Sequence, residues 1–427
     1  MIIWLLVVYM WLYIHRLFEM VEIFGGHNLT HSYMVALAVV WLLGLNSKRK
    51  LGNVFTLSLF LYTFAIIAAA LSSPSIPILD NFNVKNWLLN IAFFLILMTS
   101  VRTQRDLKII MTGYLVAYFI FLSHSYWVYL SGRTLSSMGV ARLSGVRGSE
   151  GQPGGEGLRD PNYFSTTLVC ALPMLIPLMA LGKKYWHYLF ALTYALLAVR
   201  CAILSGSRNT FLMLLSLMVL SVLFSRHRFK LLPIILVALP IGWVAMPEEM
   251  HRRYQSIWDP SLERMYAMRG ANASMEGRLH GFYNGFATLL RNPITGVGPG
   301  GTRYTELGMA AHNLPGQVAG ELGTLGIVTF LFMVSCFGIN HYKNWKNYKY
   351  LREKNLDKEI RYCWWVSIGS MYALAMMGMQ GIGLHNAYFY PWVWFGAFLA
   401  LATTLIQERV DADIRGKLLP SLPNLKS

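Results

Sequence analysis

The sequence predicts an all-α integral membrane protein, and three observations lead to this fold class. Of the 427 residues, 55% are hydrophobic and only 13% are charged, whereas about 25% of the residues in an ordinary soluble domain are charged. The apolar residues also come in nearly uncharged blocks, such as 54–71 and 389–406. These blocks approach the length of about 20 residues with which a helix crosses a bilayer. The composition excludes a disordered, a collagen-like or a disulfide-rich secreted protein.

About twelve segments satisfy this length criterion for a transmembrane helix. They lie near residues 2–18, 31–46, 52–72, 85–101, 108–130, 161–181, 185–204, 208–224, 230–246, 314–340, 361–383 and 386–406. The first segment is short, but it has neither the basic start nor the small-residue cleavage site of a signal peptide. We therefore count it as a membrane helix.

The basic residues predict how these helices are oriented. If the N-terminus is inside and successive loops alternate between the two sides, the tail after Arg409 lies on the inner side. So do the loops that start at Lys48, Arg102, Lys183, Arg226 and Lys343. An excess of Lys and Arg in such short loops is typical of the cytoplasmic side. The net charge of +17 is therefore mainly a topology signal. Because the basic residues are spread over many loops rather than along one stripe, the sequence does not predict nucleic-acid binding.

The kind of basic residue differs between the two sides. Every lysine except Lys85 falls on the inner side, so the outer side is rich in arginine. Arginine presents a planar fork of donors that matches phosphate oxygens, whereas lysine is a point charge. This distribution favours an anionic substrate on the outer face. The alternative is that lysine is simply the commoner cytoplasmic anchor.

These assignments divide the chain into four parts. They are an N-terminal transmembrane bundle at 1–246 with an outer loop at 131–160, a large outer loop at 247–311, C-terminal transmembrane helices at 312–406, and a cytoplasmic tail at 407–427. In the large loop, the apolar residues of Glu276–Arg291 recur at helical spacing. We predict an amphipathic helix there, which lies on the outer membrane surface or caps the bundle.

The sequence predicts no cofactor and no metal. Gly296–Gly301 matches the GxGxxG of dinucleotide-binding folds, but no strand precedes it and Glu321, at the spacing of the expected acidic residue, enters an apolar segment. We interpret it as a tight glycine turn, with close approach to a phosphate as the alternative. The cysteines form no CxxC pair and are expected to be small buried residues. They are Cys170, Cys201, Cys336 and Cys363.

The smaller outer loop carries two candidate substrate-binding residues, Arg147 and Arg159. The loop ends in Asp160-Pro161-Asn162, where Asp160 is expected to cap the next helix and Pro161 to occupy its first turn. A helix N-terminus beside Arg159 is a ready anion site. The alternative is a capped helix start with no role in binding.

Five further polar residues stand at or near the ends of apolar segments. Arg208 closes a short turn between two such segments, and Arg278 lies in the first turn of the amphipathic helix. An arginine at membrane depth is costly unless it snorkels to the surface or binds a ligand. His312 and Asn313 open the tenth segment. A histidine there can take a proton from a hydroxyl group, and Asn313 is a candidate substrate-binding residue. Glu321 lies deeper in the same segment, where it could bind substrate or pair locally.

Several of these motifs together resemble the O-antigen ligase and polymerase superfamily. The matching motifs are Asp160-Pro161-Asn162, Ser205-Gly206-Ser207-Arg208, Gly277-Arg278, Asn292–Gly300, Ala311-His312-Asn313-Leu314 and Glu321–Gly326. They cover about residues 160–340, and the predicted topology agrees over the whole chain. The pattern is fairly specific to the superfamily but separates its members poorly.

The resemblance implies a multi-helix bundle in the bacterial inner membrane with a large periplasmic loop. It also implies transfer of a glycan from undecaprenyl pyrophosphate to an acceptor hydroxyl on the periplasmic face, without a nucleotide sugar and without a metal. Carried over by motif, Arg208 and Arg278 would hold the pyrophosphate and His312 would be the base for the acceptor. The chain departs from the family pattern at Pro315-Gly316, which predicts a kinked or delayed helix start there.

Four functions remain open at this point. One of them, a protein O-oligosaccharyltransferase, is disfavoured because the sequence shows no large appended soluble domain. A ligase would move a finished glycan onto lipid A-core or a related acceptor, and a polymerase would use the same donor to extend another lipid-linked glycan. In both, one carboxyl group such as Glu321 does not supply the pair that a retaining mechanism needs, so we expect inversion at the anomeric carbon. A transporter of lipid-linked glycans is the alternative outside enzymes. It should show internal repeats and intramembrane ionisable pairs, which we do not find in the sequence.

Overall fold

A computed structural model of the chain is helical, as the sequence predicts. It describes residues 1–15, 29–44, 51–73, 75–132, 136–137, 140–145, 160–180, 184–224, 228–244, 246–259, 261, 271–306, 308 and 310–418. In this part of the chain, the only strands are a short antiparallel pair, Ser136–Ser137 with Val140–Ala141.

A helix lies over each of the predicted membrane segments. In chain order the helices are α1 (Ile2–His15), α2 (Leu29–Leu43), α3 (Val54–Leu71), α4 (Phe82–Ser100), α5 (Gln104–Leu130), α6 (Pro161–Ala171), α7 (Leu175–Ala180), α8 (Tyr185–Leu204), α9 (Arg208–Phe224), α10 (Arg228–Val244), α11 (Glu248–Gln255), α12 (Ala271–Arg291), α13 (Leu314–Glu353), α14 (Arg361–Gly383) and α15 (Tyr390–Leu418). Short 3-10 turns occupy Leu172–Met174, Gly301–Tyr304 and Asp357–Glu359.

The number of helices that cross the membrane is not confirmed. Among the described residues, six helical segments are long and apolar enough to do so, namely α3, α4, α5, α6 with α7, α8 and α13. Helices α1, α2, α9 and the second half of α10 are apolar but shorter. Exposed side chains such as Phe64 and Leu196 suit a lipid-facing surface. The chain is therefore a helical membrane protein, while the twelve spans and their orientation stay predictions.

The core between α1, α4, α5 and α15 is aromatic and contains buried polar side chains. The indole N–H of Trp394 donates to Asn90 Oδ1 at 2.9 Å, and Asn90 Nδ2 donates to the hydroxyl of Tyr13 at 2.9 Å. These bonds satisfy groups that would be costly to bury without partners. The four cysteines are free and buried, as the sequence predicts.

Helix α6 begins as predicted. The carboxylate of Asp160 accepts hydrogen bonds from the backbone N–H groups of Asn162 and Tyr163 at 2.7 and 3.2 Å, and Pro161 occupies the first turn. Proline is tolerated there because the first N–H groups of a helix have no partner within the helix.

Helix α13 also begins with a cap, so the expected delay at its start is wrong. The helix starts at Leu314, and Asn313 accepts a hydrogen bond from the N–H of Gly316 at 2.7 Å. Pro315 falls in the first turn, where it fits the helix. The kink lies farther along, at Gly323, whose φ of 63° and ψ of −160° are not helical.

The backbone groups left unpaired by the break at Gly323 form hydrogen bonds with the glycine loop, which comprises residues 292–301 and follows α12. A break leaves carbonyls before it and N–H groups after it without helical partners. The N–H groups of Val297 and Gly298 donate to the carbonyls just before the break at 3.0 and 2.9 Å. The N–H groups of Thr324 and Leu325, just after it, donate to loop carbonyls at 2.8 and 3.1 Å. The loop and the broken helix therefore satisfy each other's backbone groups.

Helix α12 is the predicted amphipathic helix, but it packs through its small residues. A Cβ atom at Gly281 would lie 2.1 Å from the carbonyl oxygen of Ala311, and one at Gly285 would lie 2.2 Å from that of Gly316. Glycine thus allows α12 to contact the start of α13 directly. The apolar residues remain exposed on the other side of the helix. They are Leu279, Phe282, Tyr283, Phe286 and Leu290.

We predict that Gly323→Ala lowers the apparent melting temperature in detergent much more than Gly338→Ala does. A Cβ atom at Gly323 would lie 2.5 Å from the carbonyl oxygen of Ile294, and its backbone conformation costs a residue with a side chain about 1–3 kcal/mol. Gly338 lies in the same helix with nothing within 4 Å of its added Cβ, where alanine favours the helix by up to about 1 kcal/mol. Equal melting temperatures would contradict this account of the break.

Candidate active site

The turn that contains Arg208 is joined to α11 by hydrogen bonds. Gly206 adopts a positive φ of 62°, and its carbonyl oxygen accepts a hydrogen bond from Arg253 Nε at 2.6 Å. Arg208 in turn donates to the hydroxyl of Ser256 at 2.8 Å and to the carbonyl oxygen of Arg253 at 3.4 Å. The predicted arginine turn is therefore one side of a small cluster that also includes Arg253.

Arg142 joins this cluster from the smaller loop, although the sequence analysis did not select it. Its side chain is only 5% exposed. Its Nε donates to the carbonyl oxygen of Ser205 at 2.6 Å, and its guanidinium donates to Asn162 Oδ1 at 2.9 Å. Arg142 thus ties the start of α6 to the arginine turn. Nothing in its spacing separates it from the other loop arginines, so the sequence alone could not identify it.

The arginines of this region act on one another electrostatically. Burial lowers the pKa of Arg278, and the positive charge of Arg208 lowers it further. Burial also lowers the pKa of Arg142, where the Asp160 carboxylate opposes the effect and the charge of Arg208 adds to it. Like charges this close, partly removed from water, raise the attraction of the region for an anion.

Arg278 and His312 are brought together by Asn313. The side-chain amide of Asn313 donates to the backbone carbonyl of Arg278 at 3.0 Å and to that of Ala311 at 2.7 Å. Because Asn313 also caps α13, the residue before this cap is fixed in position. That residue, His312, has a positive φ of 45°, which is uncommon outside glycine and is found in tightly constrained positions.

His385 lies beside His312, a placement that the sequence analysis did not anticipate. The two imidazole ring centres are 5.4 Å apart. Tyr163, near the start of α6, packs its ring edge-on to His385 at 5.6 Å and donates its hydroxyl to the His385 carbonyl oxygen at 2.9 Å. The sequence contains two His-Asn pairs, His312-Asn313 and His385-Asn386, and the structure brings their two histidines together. Their repetition was visible in the sequence but is too short to indicate contact.

Glu321 lies behind these residues and is 3% exposed. One carboxyl oxygen accepts a hydrogen bond from the Thr302 hydroxyl at 3.0 Å. The other accepts from the Tyr388 hydroxyl at 2.8 Å and from Gln317 Nε2 at 3.3 Å. Gln317 in turn accepts the N–H of Ala387 at 2.9 Å. Glu321 thus connects α13 both to the 3-10 turn Gly301–Tyr304 and to the segment that carries His385.

The glycines of the GxGxxG match form a tight turn that packs directly against other residues of the protein. The first two motif glycines, Gly296 and Gly298, have positive φ values of 63° and 88°, and so does the intervening Gly300, with 77°. A Cβ atom at Gly296 would lie 2.5 Å from the backbone of Glu321, and one at Gly298 would lie 2.4 Å from Ser73 Cβ. These contacts agree with a tight turn, the first interpretation of this motif, and explain why two of its glycines have no room for a side chain.

Most of the predicted site residues therefore occupy one region, at the starts of α6, α9 and α13 and within α12. Because α12 begins at Ala271, Arg278 is its eighth residue, and the prediction that Arg278 lies in the first turn is wrong. Arg208, Arg278, His312 and Asn313 belong to it directly, and Glu321 supports it from behind. Arg147 and Arg159 lie outside the described residues. Among the residues that are described, no group of three or more His, Cys, Asp or Glu is placed to hold a metal ion. That the reaction needs no metal stays a prediction.

A comparison with known families agrees with this grouping. Residues 193–331 match the family model described as O-antigen ligase. The matched range contains the arginine turn, α12, the glycine loop, His312 and the broken part of α13. No curated protein matches the chain. Residues 193–331 thus match an O-antigen ligase domain, and this match supports the resemblance of the chain to the O-antigen ligase and polymerase superfamily.

Proposed function

We propose that this protein transfers a glycan from undecaprenyl pyrophosphate to an acceptor hydroxyl on the periplasmic face of the bacterial inner membrane. Members of its family are glycosyltransferase-like ligases and polymerases. The observation that carries the proposal is the hydrogen bond from Asn313 to the Arg278 backbone. It joins the backbone of Arg278, whose side chain suits an anion, to the residue that follows His312, a general base by type.

In the proposed reaction, His312 accepts the proton of the acceptor hydroxyl as its oxygen attacks the anomeric carbon of the donor. The bond between that carbon and the pyrophosphate oxygen breaks, and its electron pair leaves with the pyrophosphate. Arg208 and Arg278 stabilise the negative charge that develops on this leaving group. Attack from the opposite face inverts the anomeric centre.

The remaining candidates have supporting roles in this proposal. Asn313 positions His312, and Glu321 maintains the packing of α13, the glycine loop and His385. Arg147 and Arg159 contribute further positive charge for the donor from the smaller loop. Membrane lipids surround the helices, and the polyprenyl tail of the donor enters from the bilayer.

The acceptor decides between a ligase and a polymerase. The test is a reaction of the purified protein in detergent with an undecaprenyl-pyrophosphate glycan, with and without lipid A-core. A single transfer to lipid A-core identifies the ligase, which we favour, and lengthening of the donor glycan without it identifies the polymerase. If folded protein forms neither product with these or other acceptors, the enzyme proposal is wrong and a transporter becomes the better account.

We predict that Arg278→Gln reduces the transfer rate by about 10²–10³-fold, the usual cost of removing one donor that stabilises a developing negative charge. Arg278→Lys should recover part of the loss, because lysine keeps the charge but not the fork of donors. Arg105→Gln, which changes an exposed arginine at the start of α5, is the matched control. Wild-type rates in Arg278→Gln would remove this residue from the mechanism.

We predict that His312→Ala reduces the rate by about 10²–10⁴-fold, which is the typical contribution of a positioned general base. His280→Ala is the control, because His280 is exposed and lies near Arg278 on the same helix. Melting temperatures measured in parallel separate a lost base from a lost fold. A folded His312→Ala protein with full activity would show that another group takes the proton.

We predict that the new glycosidic bond has the opposite anomeric configuration to the donor. Inversion follows from a single displacement with His312 as the base, since the described part of the site contains no pair of facing carboxylates. The measurement is the anomeric proton coupling in the NMR spectrum of the product, compared with the donor. Retention of configuration would contradict the single displacement.

A further inference from the structure

A second polar site lies beside α12, away from the arginine cluster. It is a cavity of about 300 Å³ between α12 and the 3-10 turn Gly301–Tyr304 with the residues that follow this turn. Its lining includes amide, hydroxyl, guanidinium, carboxylate and phenol groups. They come from Asn284, Thr288, Arg291, Tyr304, Thr305 and Glu306. A cavity of this size is at the lower end of the range for small-molecule sites.

The charges in this cavity are balanced, unlike those in the arginine cluster. Arg291 forms an ion pair with Glu306 at 3.0 Å. The amide of Asn284 donates to the Thr305 hydroxyl at 3.2 Å. Paired charges and neutral amides offer both donors and acceptors without attracting an anion. This lining suits hydroxyl groups better than phosphates.

An aromatic ring borders the same cavity. Tyr304 is 65% exposed, so its ring is available to a ligand. A tyrosine presents a large apolar face together with a polar hydroxyl, and a sugar ring likewise has apolar C–H faces between its hydroxyls. The combination of paired polar groups with an exposed ring therefore favours a carbohydrate over an apolar or an ionic ligand.

The position of the cavity fits a glycan that is held at Arg278. Residues Asn284 to Arg291 lie on the same helix, from about 9 to about 20 Å beyond Arg278 at about 1.5 Å per residue. A chain of a few sugar units can bridge this distance from the bond that is transferred.

We propose that this cavity binds neutral sugar units of the glycan, at a distance of a few units from the reacting bond. The proposal rests on the proposed function and extends it from the pyrophosphate to the glycan. The bound sugars belong either to the donor or to the acceptor, since both carry the same chemistry. Binding here makes the enzyme selective for the glycan without touching the reacting atoms.

The test compares two donors, the host's own undecaprenyl-pyrophosphate glycan and the same lipid trimmed to its first sugar. We expect Tyr304→Ala and Glu306→Gln each to raise KM for the full glycan by about tenfold, the effect of losing one such contact, with KM for the trimmed donor unchanged. A rise in the acceptor's KM instead would assign the sugars to the acceptor. Tyr283→Ala is the matched control, because Tyr283 is also 65% exposed on α12 but does not line the cavity.

If neither KM rises beyond that of Tyr283→Ala, or if the trimmed donor is affected equally, the proposal is wrong. A second measurement separates it from the proposed function. The glycan is released from the donor by mild acid, and its contact with the protein is followed by saturation-transfer NMR. Signals that Tyr304→Ala removes and Arg278→Gln retains support the cavity, even if no transfer occurs. Absence of binding to wild-type protein would overturn it.

Discussion

The break in α13 at Gly323 is the constraint on which the site depends. In the hydrocarbon region of a membrane, each backbone N–H and carbonyl group needs a partner within the protein. A helix interrupted there is tolerated only if another part of the chain supplies those partners. The glycine loop does this on both sides of the break. The Asn292–Gly300 and Glu321–Gly326 motifs are thus two halves of one structure.

The glycine loop and the broken helix also determine where the chemical groups lie. Glu321, just before the break, bonds to Thr302 after the loop and to Tyr388 in the segment between α14 and α15. That segment carries His385 next to His312. A buried carboxyl group is costly to leave without hydrogen-bond partners. Glu321 therefore fixes the relative positions of α13, the turn that contains Thr302 and the segment that contains Tyr388. Gly281 and Gly285 add close contact between α12 and α13, which brings Arg278 to the same place.

Local features of the fold could be predicted from the sequence. The apolar blocks located the helices, Asp160 and Pro161 located the start of α6, and the apolar spacing located α12. Each of these depends on neighbouring residues alone. The face by which α12 packs was not evident, because glycine contacts rather than the apolar residues join it to α13. The break at Gly323 depends on hydrogen bonds with residues 293–298, which precede α13 in the sequence. The sequence therefore did not reveal its position, and the kink was predicted at Pro315 instead.

The candidate site shows the same division. Arg208, Arg278 and His312 could be selected from the sequence because each lies in a short recognisable motif. Arg142 and His385 reach the region only through tertiary contacts, with Ser205 and His312 respectively, and no pattern within the sequence connects those pairs. Glu321 was noticed as a polar residue in an apolar segment, but its partners Thr302 and Tyr388 could be found only in the folded chain.

In the proposed mechanism, Arg208 and Arg278 hold the pyrophosphate of the donor beside His312. The most direct measurement is a cryo-electron microscopy structure of the His312→Ala protein with its lipid-linked donor bound, since this variant should retain the donor. We expect both guanidinium groups to lie about 3 Å from phosphate oxygens, with the first sugar facing position 312. A pyrophosphate bound elsewhere, with Arg208 still on Ser256 and Arg253, would contradict the account.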